Sequence, residues 1–272
     1  MSTTDDRIAK AAGFLLYSPP GEVDDVFNDI RGIVNDDDAL QQHIGPVLAE
    51  SNMQQFLAVD VPEQQSSVLI TPYNQVEEGR YLDPNTRTVF RFDHLRREAS
   101  DAQDGSDLVV PETEELRAAL QKALSSYVAA HYSSGTVSVF SHEGSVVSCI
   151  VSNRFSPNNY WNGSWRSVWS FNPESGQLNG STKVRVHYFE EGNVQLDTQS
   201  DFAADVKADR VKDMIAKFEG EFQQGINDGY VMLAERTFRG LRRTLPVTRN
   251  KIDWEKIANY KIGGELANAD NN

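Results

Sequence analysis

The chain has 272 residues, 39% of them hydrophobic and 24% charged, which suits one elaborate domain or two small ones around a real core. Its net charge of −14 argues against whole-molecule attraction to nucleic acid or anionic lipid, and its apolar runs fall far short of the roughly 18 residues a membrane span needs. A single cysteine, Cys149 in VVSCIVS, predicts a buried thiol in a reducing, cytoplasmic compartment and excludes a disulfide framework.

The opening MSTTDDRIAKAAGFLLYSPPGE puts acids ahead of a short apolar run, the reverse of a secretory leader. Residues 5–16 and 22–34 read as short amphipathic helices. In the second, Val23, Val26, Phe27, Ile30, Ile33 and Val34 recur at helical spacing. SPPGE separates the two, because paired prolines cannot continue the first. A weaker third helix, around 39–52, completes a helical N-terminal section. Strand signals follow in SVLITPY and TVFRFDH, with DPNTR as a turn.

Residues 100–112, SDAQDGSDLVVPE, read as a linker. Aligned to a calcium loop with Gly105 at its glycine, they lack acids at the first and third positions and carry Pro111 at the last. Leu116, Ala119, Leu120, Ala123, Leu124, Tyr127 and Val128 then mark a helix. From Gly135 to about Gln199, about five strand-like segments joined by short turns predict an antiparallel meander. A long helix is expected from about Ala204 to Arg243, with Val211, Ile215, Phe218, Phe222 and Ile226 on the face laid across the sheet. Pro246 ends it, and a short separate helix gathers Trp254, Ile257 and Ala258 on one side.

Reactive groups do not converge. The five histidines are scattered without metal-ligand spacing, and no nucleophile elbow, phosphate loop or dinucleotide fingerprint is present. The expectation is a protein with no catalytic residues, no metal and no cofactor. Trp161, Trp165 and Trp169 stand four apart and share one face of a predicted strand with Gly163 and Ser167. Large side chains alternating with small ones suit a sheet core under a covering helix better than an exposed ligand platform.

The charge is unevenly placed. Between Arg239 and Lys261 seven basic residues face two acids, so the span is +5 and the remainder −19. Helix-dipole complementation explains Arg239, Arg242 and Arg243 but not Arg249, Lys251, Lys256 and Lys261, which lie beyond the proline. Basic charge beside the Trp254 face reads as a binding appendage for an acidic partner or a membrane surface.

FRGLRRTLPVTRNKIDWEKI, VHYFEEGNV and YWNGSWRSVWSF resemble signature stretches of the F-actin-capping protein (CapZ) α subunit family. PPGEVDDVFNDIR, FDHLRREA and YKIGGE match it too, in the same order, so the likeness runs from about Ile8 to Ala267. The resemblance implies an α+β fold with a helical stalk at 1–60 and a small β globule with linker at 61–111. It further implies a helix, antiparallel meander and long helix at 112–244, and an amphipathic C-terminal appendage at 245–272. It implies obligate pairing with a similar β subunit, and binding to filament barbed ends that blocks subunit gain and loss without calcium or severing. Regulation by phosphoinositides and by proteins is implied as well. Carried over by position, the actin contacts are Arg239, Arg243, Arg249 and Lys251, with Trp254 and Ile257 as apolar contacts. Arg239 stands where lysine is common in the family, and Gly240 where alanine or glutamate is common. The glycine weakens that helix end by roughly 0.5–1 kcal/mol.

Overall fold

The computed structural model describes residues 4–62, 67–190 and 192–232. Three helices open the chain: α1 (Thr4–Gly13), α2 (Val23–Val34) and α3 (Asp37–Gln54). They close on their apolar stripes, with Ile8, Ala12, Leu15, Ile30, Leu40, Ile44 and Leu48 buried together. After the first helix a short 3-10 turn, Phe14–Tyr17, leads to the paired prolines. Asn35 in the left-handed region terminates α2. The next residue, Asp36, caps α3 by accepting a 3.0 Å bond from the Ala39 amide.

The small β section follows. β1 (Ala58–Asp60) and β2 (Ser67–Leu69) pair as a ribbon. β3 (Gln75–Glu77), β4 (Arg80–Asp83), β5 (Thr88–Asp93) and β6 (Glu98–Asp104) form a four-stranded antiparallel sheet in sequence order. The linker expected over residues 100–112 is corrected here. Residues through Asp104 belong to β6, and Pro111 already starts the next helix. Both faces of this stretch are exposed, so SDAQD has no buried face for alternating apolar residues to mark.

α4 (Pro111–His131) precedes the large sheet of β7 (Gly135–His142), β8 (Ser145–Ser156), β9 (Trp161–Phe171), β10 (Gln177–Tyr188) and β11 (Val194–Asp205). The order is β11-β10-β9-β8-β7, every neighbour antiparallel, as the short turns require. α5 (Val211–Met232) ends the described residues.

The predicted helix start at Ala204 is also corrected. Ala204 and Asp205 remain paired with Leu178 and Gln177, and the apolar helical period takes over only at Val211. Any continuation of that helix towards Arg243 lies outside the described residues.

Two apolar layers sandwich the large sheet. On its upper face, Leu120, Leu124 and Val128 of α4 and Val211 and Ile215 of α5 bury Val137, Val139, Ile150, Trp169, Phe171 and Leu178. On its underside, Phe140, Val147, Cys149 and Val151 meet Leu69, Ile70, Tyr81, Phe90 and Phe92 of the small β section. Cys149 is fully buried, and burial pushes its thiol pKa up, which makes it an unreactive packing residue.

Gly180 shows how tightly the upper layer is filled. A Cβ there would stand 2.0 Å from the Trp169 ring. Gly180→Ala is therefore expected to destabilise the fold by about 1–3 kcal/mol through overpacking. Chemical denaturation checks this, and a variant as stable as wild type contradicts it.

The described residues up to Gln223 form one compact unit. At the end of α5, Tyr230, Val231 and Met232 are exposed.

Candidate partner interface

The seat of α5 on the sheet explains the tryptophan ladder. Trp169 is fully buried and stacks on Phe218 of α5, with centroids 6.0 Å apart and planes within 5°. Trp165 packs between Tyr132 and Phe222, at centroid distances of 5.9 and 5.6 Å. Trp161 lies further along the strand, half-buried, with the Arg154 guanidinium 5.3 Å from its ring centroid. The ladder is thus core at Trp169 and graded towards the surface at Trp161.

Among these apolar contacts sits one carboxylate, Glu219, 2% exposed. Its Oε1 accepts from Ser167 Oγ at 2.5 Å and Trp169 Nε1 at 3.2 Å. Its Oε2 accepts from the Tyr132 and Tyr127 hydroxyls at 2.6 and 2.9 Å. Four donors from α4, the segment after it and β9 replace the hydration of one charge. Burial, and then the neighbouring carboxylate, raise both tyrosine pKa values well above the ordinary phenol value, so both hydroxyls stay protonated donors.

The two edges of the large sheet differ. At β7, the Gln121 side chain from α4 acts as a stand-in strand. Its Oε1 accepts from the Val139 amide at 2.8 Å, and its Nε2 donates to the Val137 carbonyl at 3.1 Å. Beside it Arg117, held by Glu114 at 2.8 Å, donates to Asn85 and the Val139 carbonyl. The middle of that edge, at Val137 and Val139, is met from within the chain. At β11, which pairs with β10 on one side, no strand covers the other side among the described residues, and alternate residues of the strand present open backbone groups there.

Polar joints tie the helical section to the sheets. Arg166 of β9 donates to the Gln54 carbonyl at 3.1 Å and to the Gln55 side chain, at the C-terminal end of α3. Burial and the neighbouring Arg185 push its pKa down to about 10, so it remains charged at neutral pH. His187 of β10 meets Glu22 at 2.5 Å and Asn193 at 3.2 Å, and Asn162 donates to the same Glu22 oxygen.

His94 forms a third joint. Asn52 Nδ2 donates both to the His94 carbonyl at 3.0 Å and to its Nδ1 at 3.2 Å, which leaves Nε2–H for the Tyr81 oxygen at 3.0 Å. Only a neutral ring fits these partners. Burial lowers its pKa, with Asp93 pulling partly the other way, while burial takes the Tyr81 hydroxyl up to about 12. A histidine whose folded value lies below its unfolded one, about 6.5, contributes stability above that pH and loses it as pH falls. His94→Gln is therefore expected to flatten the acid-side loss of thermal stability between about pH 7 and 5. Equal pH slopes in the two proteins contradict the assignment.

The positions Arg239, Arg243, Arg249, Lys251, Trp254 and Ile257 all lie outside the described residues. Sequence reasoning missed Glu219 and Gln121. Glu219 did leave a signal, an acid four residues after Ile215 on the stripe that buries its neighbours. Gln121 left none, since an amide on a helix flank is ordinary. Among the described residues, no group of three or more His, Cys, Asp or Glu could hold a metal ion.

Helices at the N-terminus, a small β section and a five-stranded antiparallel sheet beneath α5 define an α+β architecture also seen in a solved structure. The homodimeric actin capping protein alpha subunit from Plasmodium berghei superposes with a TM-score of 0.68 at 21% identity, over 86% of this chain and 94% of that one. A family profile described as F-actin capping protein alpha subunit matches residues 11–265. The chain is 36% identical over 260 residues to the F-actin-capping protein subunit alpha of Neurospora crassa, covering 94% of each. It is 36% identical over 275 residues to that of Caenorhabditis elegans, covering 96% of this chain and 97% of the relative. It is 32% identical over 281 residues to that of Dictyostelium discoideum, covering 98% and 99%. The chain belongs to the F-actin-capping protein α subunit family.

Proposed function

We propose that this chain is the α subunit of a heterodimeric capping protein that binds filament barbed ends and blocks subunit addition and loss, without calcium and without severing. The observation that carries this reading is the family match across residues 11–265, which takes in the basic segment from Arg239 to Lys261. The β subunit joins the sheet along β11, the edge that no element of this chain covers among the described residues. Arg239, Arg243, Arg249 and Lys251 steer the complex onto acidic surfaces of the terminal actin protomers. Trp254 and Ile257 then anchor the appendage in an apolar groove, which slows dissociation. The protein acts in the cytoplasm, on cortical actin structures.

The test is co-expression with a β subunit followed by seeded actin elongation. Slowed growth at substoichiometric complex supports the reading, and unchanged growth removes it. The same +5 segment on a −19 body also supports a second reading, binding to a phosphoinositide-bearing membrane surface that competes with capping. Sedimentation with vesicles, with and without anionic lipid, separates the two activities, and protein regulators act on the same complex.

A further inference from the structure

The open edge has two faces of different chemistry. Along β11 the upper, α5-side positions are Val194, Leu196, Thr198, Ser200, Phe202 and Ala204; Val194 is exposed, and Leu196 and Phe202 are half-buried. The underside positions are Gln195, Asp197, Gln199, Asp201, Ala203 and Asp205, three acids and no base. Asp197 is already met by Lys183 at 3.3 Å and Arg185 at 3.5 Å of β10. Asp201 and Asp205 are exposed, and Asp201 meets only neutral groups among its hydrogen-bond partners, the Ser181 hydroxyl and the Gln199 side chain, the latter at 3.2 Å. The edge therefore offers unpaired backbone groups, an apolar upper side and uncompensated negative charge below.

A second copy of this chain cannot complement that pattern. Pairing β11 with itself, antiparallel about a two-fold axis normal to the sheet, keeps the underside residues on the underside in every register. The β11 strand of each copy then brings three acids and no base of its own to the joint, with Lys183 and Arg185 one strand further in and already engaged by Asp197, and some registers set aspartates directly opposite one another. A neighbouring strand with Lys or Arg on its underside and apolar residues above fits both faces.

We propose that β11 selects its neighbour by charge, accepting a strand of the second subunit that is cationic on the underside and rejecting a second copy of this chain. This rests on the heterodimer reading above. It assigns Asp201 and Asp205 as specificity residues of the joint, which family membership alone does not.

The test uses the co-purified complex. Hydrogen exchange first measures whether β11 amides are protected on pairing. Subunit affinity is then compared for wild type, Asp201→Lys/Asp205→Lys and Asp201→Asn/Asp205→Asn, with Glu115→Lys on the exposed side of α4 as a charge control. With β11 protected, the lysine pair is expected to weaken pairing about tenfold at low salt and much less at high salt, with the asparagine pair in between. The control is expected to match wild type. In native mass spectrometry of the full chain without its partner, wild type mixed with the lysine variant is expected to give mixed dimers that wild type alone does not form. Protected β11 amides with unchanged affinity in the lysine variant overturn charge selection, as does wild type self-pairing as readily as the mixture. Unprotected β11 amides in the complex overturn the underlying heterodimer geometry, and the proposal with it.

Discussion

Reversing the charge at Arg239, Arg243 and Arg249 together is expected to slow association with barbed ends by about ten- to a hundredfold at low ionic strength. Dissociation is expected to change far less. The span from Arg239 to Lys261 concentrates seven bases against two acids on a chain of net charge −14, so the rest of the molecule repels an acidic partner. Removing three of those bases and adding three acids turns a +5 segment to −1. Long-range attraction governs encounter more than it governs the final contacts, so the rate of capping moves first. Filament growth followed after adding the complex gives that rate directly. Association unaltered at low salt contradicts the electrostatic part of the account. So does an effect that persists undiminished at high salt.

Replacing Glu219 by leucine is expected to destabilise the fold by about 2–4 kcal/mol, despite the apolar surroundings. The substitution leaves Tyr127, Tyr132, Ser167 and Trp169 with buried donors and no shared acceptor. Adding four full penalties overstates the cost, because hydroxyls can turn towards one another. Glu219→Gln keeps one acceptor oxygen and is expected to lose about half as much. Denaturant titration of the assembled complex separates the three proteins. Stability within about 0.5 kcal/mol of wild type for both variants would remove Glu219 as the polar lock of α5.

Much of the fold was legible because its elements carry clean periods. Val23 to Val34 and Val211 to Phe222 repeat at helical spacing, and the strands from Gly135 onward alternate between tight turns. The two misread boundaries share a cause. SDAQD is exposed on both faces of its strand, and Ala204 and Asp205 end a strand with no fully buried position. Their sequences therefore carry little of the apolar alternation that marks a strand between two others.

The tryptophan ladder was read correctly as a face, but its gradation was not readable. Spacing places Trp161, Trp165 and Trp169 together, whereas only the seating of Phe218 and Phe222 decides which of them is covered. The guarded and open edges were invisible for a related reason. Gln121 reaches the Val137 and Val139 backbone across a tertiary contact that no local pattern encodes. The charge excess between Arg239 and Lys261 is a property of the sequence itself, and it lies outside the described residues.

The most direct test of the central claim is growth of single actin filaments observed at both ends, with calcium chelated and the full-length complex added at nanomolar concentration. Barbed ends are expected to stop growing and shrinking while pointed ends continue and filament number stays constant. Barbed ends that grow at the control rate, or filaments that fragment, would contradict it.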